Sequence, residues 1–191
     1  WNVDQTAFQL EQTSNRTLTI KGTKKVTRVV QRTAPTTHSA TLNAAVRADG
    51  KLSKKLYVVL HEVHPPRNFS NMTSGYPFLT VRSSHSGKLD TILTKDWMIK
   101  SFLRECKPKS VLVLDSWSGY NCLRTLKPLK KKKLELVFLP PGSTSELQPL
   151  DLYCNMQLKD FFKKFSDKLR ISYSDFIISR RGNFLSLLNL M

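Results

Sequence analysis

The sequence predicts an α/β fold, a mixed sheet flanked by helices, and three observations carry that prediction. Segments rich in Thr and Val, with turn residues between apolar runs, fill the first third of the chain. Short apolar runs then alternate with helical spacing, and a long stretch with apolar residues three or four apart follows them. Early antiparallel strands feeding later strand–helix–strand units make a mixed sheet with helices on its faces.

Each element has its own signal. Trp1 to Phe8 reads as a short strand carrying Asp4, and Arg16 to Val30, with a Lys21-Gly22 turn, as a ragged hairpin. Thr41–Val46 and Lys55–Leu60 flank Ala48-Asp-Gly-Lys51, and Asp-Gly between apolar runs is a strong hairpin signal. Residues 64–90, full of Pro, Gly, Ser and Asn, read as an extended loop region with room for one strand. Asp96–Cys106 shows helical spacing through Trp97, Ile99, Phe102 and Leu103, and Pro108 closes it. Val111–Leu114 reads as a buried strand ended by Asp115. A short helix around Asn121–Lys130, a strand at Leu134–Leu139 and a loop at 140–145 follow. From Pro149, which fits a first helical position, Leu150, Tyr153, Cys154, Leu158, Phe161, Phe162, Phe165 and Leu169 mark one face of a long amphipathic helix. An RNase H-like arrangement fits this order; a doubly wound sheet fits less well because of the early hairpins.

The chain's 191 residues suit one domain, and 40% apolar content supports a real core. No apolar stretch approaches the ~20 residues that span a bilayer, so no membrane is expected. Three scattered cysteines lack the paired spacing of a zinc site and suit a reducing compartment. The charge is the strongest bulk signal. Against 14 acids stand 31 Lys and Arg, a net of +17, which favours a polyanionic partner, nucleic acid first. The chain opens at Trp1 and closes in the apolar run 183–191, so both ends are expected to be cut from a longer protein.

In so basic a chain three acids stand out. Asp4 lies on the first strand, Asp115 ends a buried strand where open α/β sheets carry functional groups, and Asp151 opens the long helix. Each has a structural reading: strand-end residue, strand terminator, or first-turn helix stabiliser. Brought together, three carboxylates repel unless a cation neutralises them. Hard divalent ions suit oxygen ligands, and two of them can activate an attacking water or hydroxyl and stabilise the leaving oxygen of a phosphodiester.

Three blocks resemble the motifs of the DDE-superfamily transposases, most of all the pogo/Tigger branch related to mariner elements. They are Asn2-Val-Asp-Gln-Thr6, Leu112-Val-Leu-Asp-Ser-Trp-Ser-Gly119, and Leu139-Pro-Pro-Gly-Ser-Thr-Ser-Glu-Leu-Gln-Pro-Leu-Asp151. Arg16-Thr-Leu, Lys21-Gly22, Thr37-His-Ser39, Asp49-Gly-Lys-Leu52 and Ser86-Gly-Lys-Leu89 extend the likeness over residues 1 to 165. The resemblance implies a single RNase H-like catalytic domain over 1–191, a fragment lacking the family's N-terminal helix-turn-helix region. It implies a triad of Asp4, Asp115 and Asp151 holding two Mg²⁺ or Mn²⁺ ions for DNA cleavage and strand transfer. DNA is the implied partner and the nucleus the implied place, and the full-length context admits a homodimer. Tyr120 stands where many relatives have a histidine.

Other features are weighed against plainer roles. The run Lys130, Lys131, Lys132 and Lys133 either complements a helix C-terminus, contacts DNA phosphates or signals nuclear import. Trp117, beside Asp115, is the aromatic placed nearest DNA, with packing as its ordinary role. His61 and His64 read as a surface turn rather than a zinc site, and Phe161, Phe162 and Phe165 as core. The competing functional reading is an inactive domesticated or decayed remnant that binds DNA or chromatin; an RNA-cleaving hydrolase on the same fold has little specific support.

Overall fold

In a computed structural model, which describes residues 1–10, 19–25, 39–173 and 175–191, the strands are β1 (Asn2–Gln9), β2 (Ser39–Val46), β3 (Leu56–His61), β4 (Leu79–Ser84), β5 (Val111–Leu114) and β6 (Glu135–Phe138). They form one sheet in the order β4-β3-β2-β1-β5-β6. β2 pairs antiparallel with both β1 and β3, whereas β4, β5 and β6 join in parallel. The sheet is mixed, as its hairpin-first order predicts. The expected Arg16–Val30 hairpin falls largely outside the described residues; within it, Lys21-Gly22 does form a turn, with Gly22 at φ 92°.

The Asp49-Gly50 turn joins β2 to β3. Gly50 takes φ 80°, a left-handed backbone open to glycine, and its amide donates to the Arg47 carbonyl at 3.0 Å. The loop-rich stretch 64–90 holds a short helix, α1 (Phe69–Thr73), and β4, whose Leu79 and Val81 point into the core. The next helix starts earlier than its apolar spacing suggests. Asp90 caps α2 (Thr91–Trp97) by accepting from the Leu93 amide at 2.8 Å. α2 runs on through a π-helical turn at Met98–Phe102 to Leu103–Glu105.

Three further expectations are corrected. The short helix around Asn121–Lys130 is two pieces, a 3₁₀ turn at Ser118–Leu123 and α3 (Lys127–Lys132), because Pro128 starts a helix but cannot continue one. β5 is not buried throughout: Leu112 and Leu114 are inside, but Val111, at the strand's start, is 41% exposed. After a brief α4 (Thr144–Leu147), Leu150–Cys154 winds as a π turn before α5 (Asn155–Ser172). That turn shifts the phase of the apolar stripe, so Tyr153 is 64% exposed. Phe161, at the stripe's edge, is 47% exposed and stacks on Phe165 at 5.9 Å instead of joining Phe162 in the core.

Two apolar layers cover the sheet. On one face Phe8, Leu42, Val58 and Val81 meet Phe162 of α5 and Phe184, Leu185 and Leu188 of α6 (Arg181–Asn189). Phe162 contacts the rings of Phe8 and Phe184 edge-on, both at 5.5 Å. Phe184, Leu185, Leu187 and Leu188 of the run 183–191 are therefore core, whereas Leu190 is 66% exposed. On the other face Val3, Val59, Leu112 and Leu114 meet Trp97, Met98 and Phe102 along α2, with Tyr120 and Leu123 of the 3₁₀ turn. Burial of a side chain of this size is worth ~1.5–3 kcal/mol, so either layer anchors the central strands.

Candidate active site

β1 and β5 touch at one pair, Asn2 with Val113, where the Val113 amide donates to the Trp1 carbonyl at 2.8 Å. Two residues beyond this pair, Asp4 continues β1 while Asp115 follows the last residue of β5. The ladder does not continue. The Val3 carbonyl, next in line for a strand partner, accepts instead from the side-chain amide of Gln148 at 3.1 Å. The Leu150 amide donates to the Asn2 side chain at 3.4 Å. Residues 148–150 thus meet β1 beside its junction with β5 and deliver the π turn, with Asp151, over the start of β1.

Asn155 completes the arrangement from one helical turn further on. Its Nδ2 donates to Asp4 Oδ2 at 2.5 Å and to Asp151 Oδ1 at 3.3 Å, one amide spanning two acids. Asp4 and Asn155 are buried, whereas Asp151 is exposed. Asp115, half-buried, accepts from the Trp117 amide at 3.3 Å and feels the charge of Asp151. Asn155 therefore joins Asp4 to Asp151, and Asp115 is linked to Asp151 through its charge. Among the described residues no three His, Cys, Asp or Glu side chains lie grouped as a ready metal cage.

The electrostatics are those of uncompensated negative charge. Burial, reinforced by the hydrogen bond and charge of Asp151, raises the Asp4 pKa to about 7; the Gln5 amide and Asn155 offset part of this. Burial also pushes Asp115 up, the Trp117 amide opposing it and Asp151 adding to it. Among the described residues no lysine or arginine pairs with any of the three acids, although the chain carries a net +17. Carboxylate oxygens are hard donors that suit a divalent ion. Beside them the buried Oδ1 of Asn155 and Oε1 of Gln148 find no hydrogen-bond partner among the described residues.

The other singled-out residues sit apart. Tyr120 lies beneath the acids, buried, its hydroxyl accepting from Gln5 Nε2 at 3.2 Å and its pKa raised by burial; it is a core residue and does not face a substrate. Trp117 packs edge-on to Tyr120 at 5.1 Å and lies across Gly119. A Cβ on Gly119 would meet the Trp117 ring at 2.1 Å. Gly119→Ala is accordingly expected to displace the indole and destabilise the domain by about 1–3 kcal/mol, read by thermal melting and a shift in tryptophan emission.

The lysine run does not join the acids. Lys130, Lys131, Lys132 and Lys133 close α3 just before β6 begins, whereas the acids lie past the far end of β5, about four residues or ~13 Å along the sheet. Lys130 and Lys131 are exposed in the last turn of α3, where their charge complements the helix C-terminus. Lys132, half-buried, donates from Nζ to the Cys106 carbonyl at 2.7 Å, and exposed Lys133 takes a left-handed cap conformation at φ 51°. Lys132 differs from the other three in that its ammonium is turned onto the protein's own backbone. Gln148 and Asn155 are the residues that sequence reasoning misses. Asn155 stands four residues after Asp151, the helical spacing that brings two side chains together.

Residues 37–179 match the family described as DDE superfamily endonuclease; Asp115 and Asp151 fall within that segment and Asp4 before it. The chain is 26% identical over 183 residues to a human protein called "Pogo transposable element with KRAB domain". That similarity covers 93% of this chain and 27% of the human protein, so the chain spans about a quarter of that relative's length. No solved structure matches the chain.

Proposed function

This chain belongs to the DDE superfamily of endonucleases, and we propose that Asp4, Asp115 and Asp151 form its catalytic centre for cutting DNA. The observation that carries this is the Asn155 amide joining Asp4 to Asp151, with Asp115 within reach of the Asp151 charge and, among the described residues, no cationic partner for any of the three in a chain rich in lysine and arginine. Asp4, Asp115 and Asp151 would hold two divalent ions, Mg²⁺ or Mn²⁺. Such ions supply an activated water or hydroxyl and stabilise the leaving oxygen at a phosphodiester.

The chain's own residues set the stage for that chemistry. Gln148 pins the segment before Asp151 to β1, so the third acid rides on the sheet that carries the first. Asn155 keeps the Asp4 and Asp151 carboxyl groups together despite their repulsion, and the Trp117 amide orients Asp115. Burial keeps water away from Asp4 and strengthens its interaction with any cation that arrives. Trp117 and the exposed Lys130, Lys131 and Lys133 are assigned to DNA contact, the lysines adding sequence-blind, salt-dependent affinity at a distance from the cut. The whole reading covers cleavage and strand transfer by a transposase in the nucleus, with a homodimer in the full-length protein.

Supercoiled-plasmid nicking with Mg²⁺ or Mn²⁺ tests it. The wild type is expected to nick and Asp115→Asn to be slower by about 10²–10³ or more, the loss of several kcal/mol of ion-borne stabilisation. Equal rates in both, or salt-sensitive DNA binding with no cleavage in either, would instead identify a catalytically inactive DNA-binding remnant.

A further inference from the structure

A second charged feature lies on the opposite face of the sheet from Asp4. It is a cavity of about 550 Å³ between β2, β4 and the helical stretch that begins with α2. Buried Trp97 and Phe102 form part of its wall, and Ser53, Thr80 and Ser101 add hydroxyls. Seven cationic side chains line it. Three are balanced nearby: Arg82 Nε and Lys100 Nζ share Asp96, at 2.8 and 2.6 Å, and Arg47 pairs with Asp49 at 2.5 Å.

The other four, Lys54, Lys55, Arg104 and Lys107, are in no ion pair among the described residues. The one carboxylate in the lining, Glu105, accepts from the backbone amide of Lys54 at 2.9 Å. Asp96 is saturated, taking the Tyr57 hydroxyl at 2.9 Å as well as its two cations.

Basic residues on a convex surface spread into solvent and need no partner. Here they converge from two separate elements. Lys54 and Lys55 come from the β2–β3 connection, while Lys100 sits on the π turn, Arg104 on the short helical end that follows and Lys107 on the extended segment just after it. Like charges gathered in a concavity repel one another, and the low-dielectric wall focuses their field outward. An anion seated among them removes that repulsion. The volume exceeds the needs of a single phosphate and falls in the usual range for bound ligands. Guanidinium and ammonium groups above an apolar wall suit phosphate oxygens and do not suit a lipid chain or a neutral sugar.

We propose that this pocket binds a run of clustered phosphates, as a site separate from the carboxylate centre. Consecutive phosphates of a nucleic-acid backbone and a free polyphosphate present the same chemistry. The proposal does not depend on the acids being catalytic.

Titration calorimetry with tripolyphosphate on the intact chain tests it. Arg104→Gln/Lys107→Gln and, from the other element, Lys54→Gln/Lys55→Gln are each expected to weaken binding at least about tenfold. Lys24→Gln/Lys25→Gln removes the same charge from an exposed turn and is expected to change affinity less than about twofold. Thermal melting establishes that each variant is folded, and two pairs on different elements keep the test decisive should one fail. For a short DNA duplex, each pocket pair should lower the slope of log affinity against log salt by about two, and the control pair should not. Displacement of the duplex by tripolyphosphate identifies the backbone as the ligand; simultaneous binding identifies the free polyphosphate. No tripolyphosphate binding, no loss in the pocket pairs, or equal loss in pocket and control pairs overturns the proposal.

Discussion

Asp4→Asn is expected to give a protein that cannot nick DNA yet is more stable than the wild type at pH 8 without metal, by about 2–4 kcal/mol. The reason is the cost of keeping a second carboxylate charged beside Asp151 in a buried position. The Asp4 pKa in the folded protein is about 7, above its ordinary value of 3.8. The native state therefore holds this proton more tightly than the unfolded chain does. Its contribution to stability is fully present below the ordinary carboxylate pKa, declines as pH rises toward about 7, and is gone above it. Asparagine keeps an oxygen to accept from Asn155 but carries no charge, so the variant loses this pH dependence. Urea unfolding at pH 5 and pH 8 measures it: the wild type should weaken between the two, and Asp4→Asn much less. Adding Mn²⁺ at pH 8 should stabilise the wild type by mass action and leave the variant almost unchanged. Parallel pH curves for the two proteins would remove the basis for a strained acidic pair.

Asn155→Ala should separate organisation of the site from its charge. The three acids remain, but the amide that donates to both Asp4 and Asp151 is gone. Residues that orient ligands in this way typically account for about 10–100-fold in metal affinity or activity. Mn²⁺ titration by calorimetry should show a loss of that order, with nicking reduced in parallel. Asn155→Asp, which places a further carboxyl in the same spot, should instead make the metal-free protein less stable as pH rises, because repulsion grows. Unchanged Mn²⁺ affinity in Asn155→Ala would mean that the two acids are held by the backbone alone.

Much of the frame is legible in the sequence. Alternation and turn residues locate β1, β2, β3, β5 and β6, since these depend on neighbours in the chain. The short strand β4 is only half visible, because its Leu79-Thr-Val-Arg82 alternation sits among loop-forming residues. The winding of Leu150–Cys154 is not visible at all. A π turn and an α-turn share the same local preferences, and tertiary contacts from Gln148 and Asn155 decide between them. The acids themselves are legible from type and position. Their helpers are not: Gln148 and Asn155 are ordinary amides until the fold brings them against Val3 and Asp4. The lysine run is the converse case. Four neighbours of one type look like one feature, yet Lys131 points to solvent while Lys132 is spent on a carbonyl, and adjacency does not tell which end of the sheet they occupy.

The π turn at Leu150–Cys154 carries a consequence for how such a site is lost. Its winding holds one residue more than a regular helical turn. Dropping a single residue after the buried Leu150 would let the segment relax into ordinary helix. Asp151 would then swing by roughly 100° about the axis, away from Asp4. A lineage could in that way silence its cutter with one codon and keep an intact shell, a quieter retirement than mutating an acid outright.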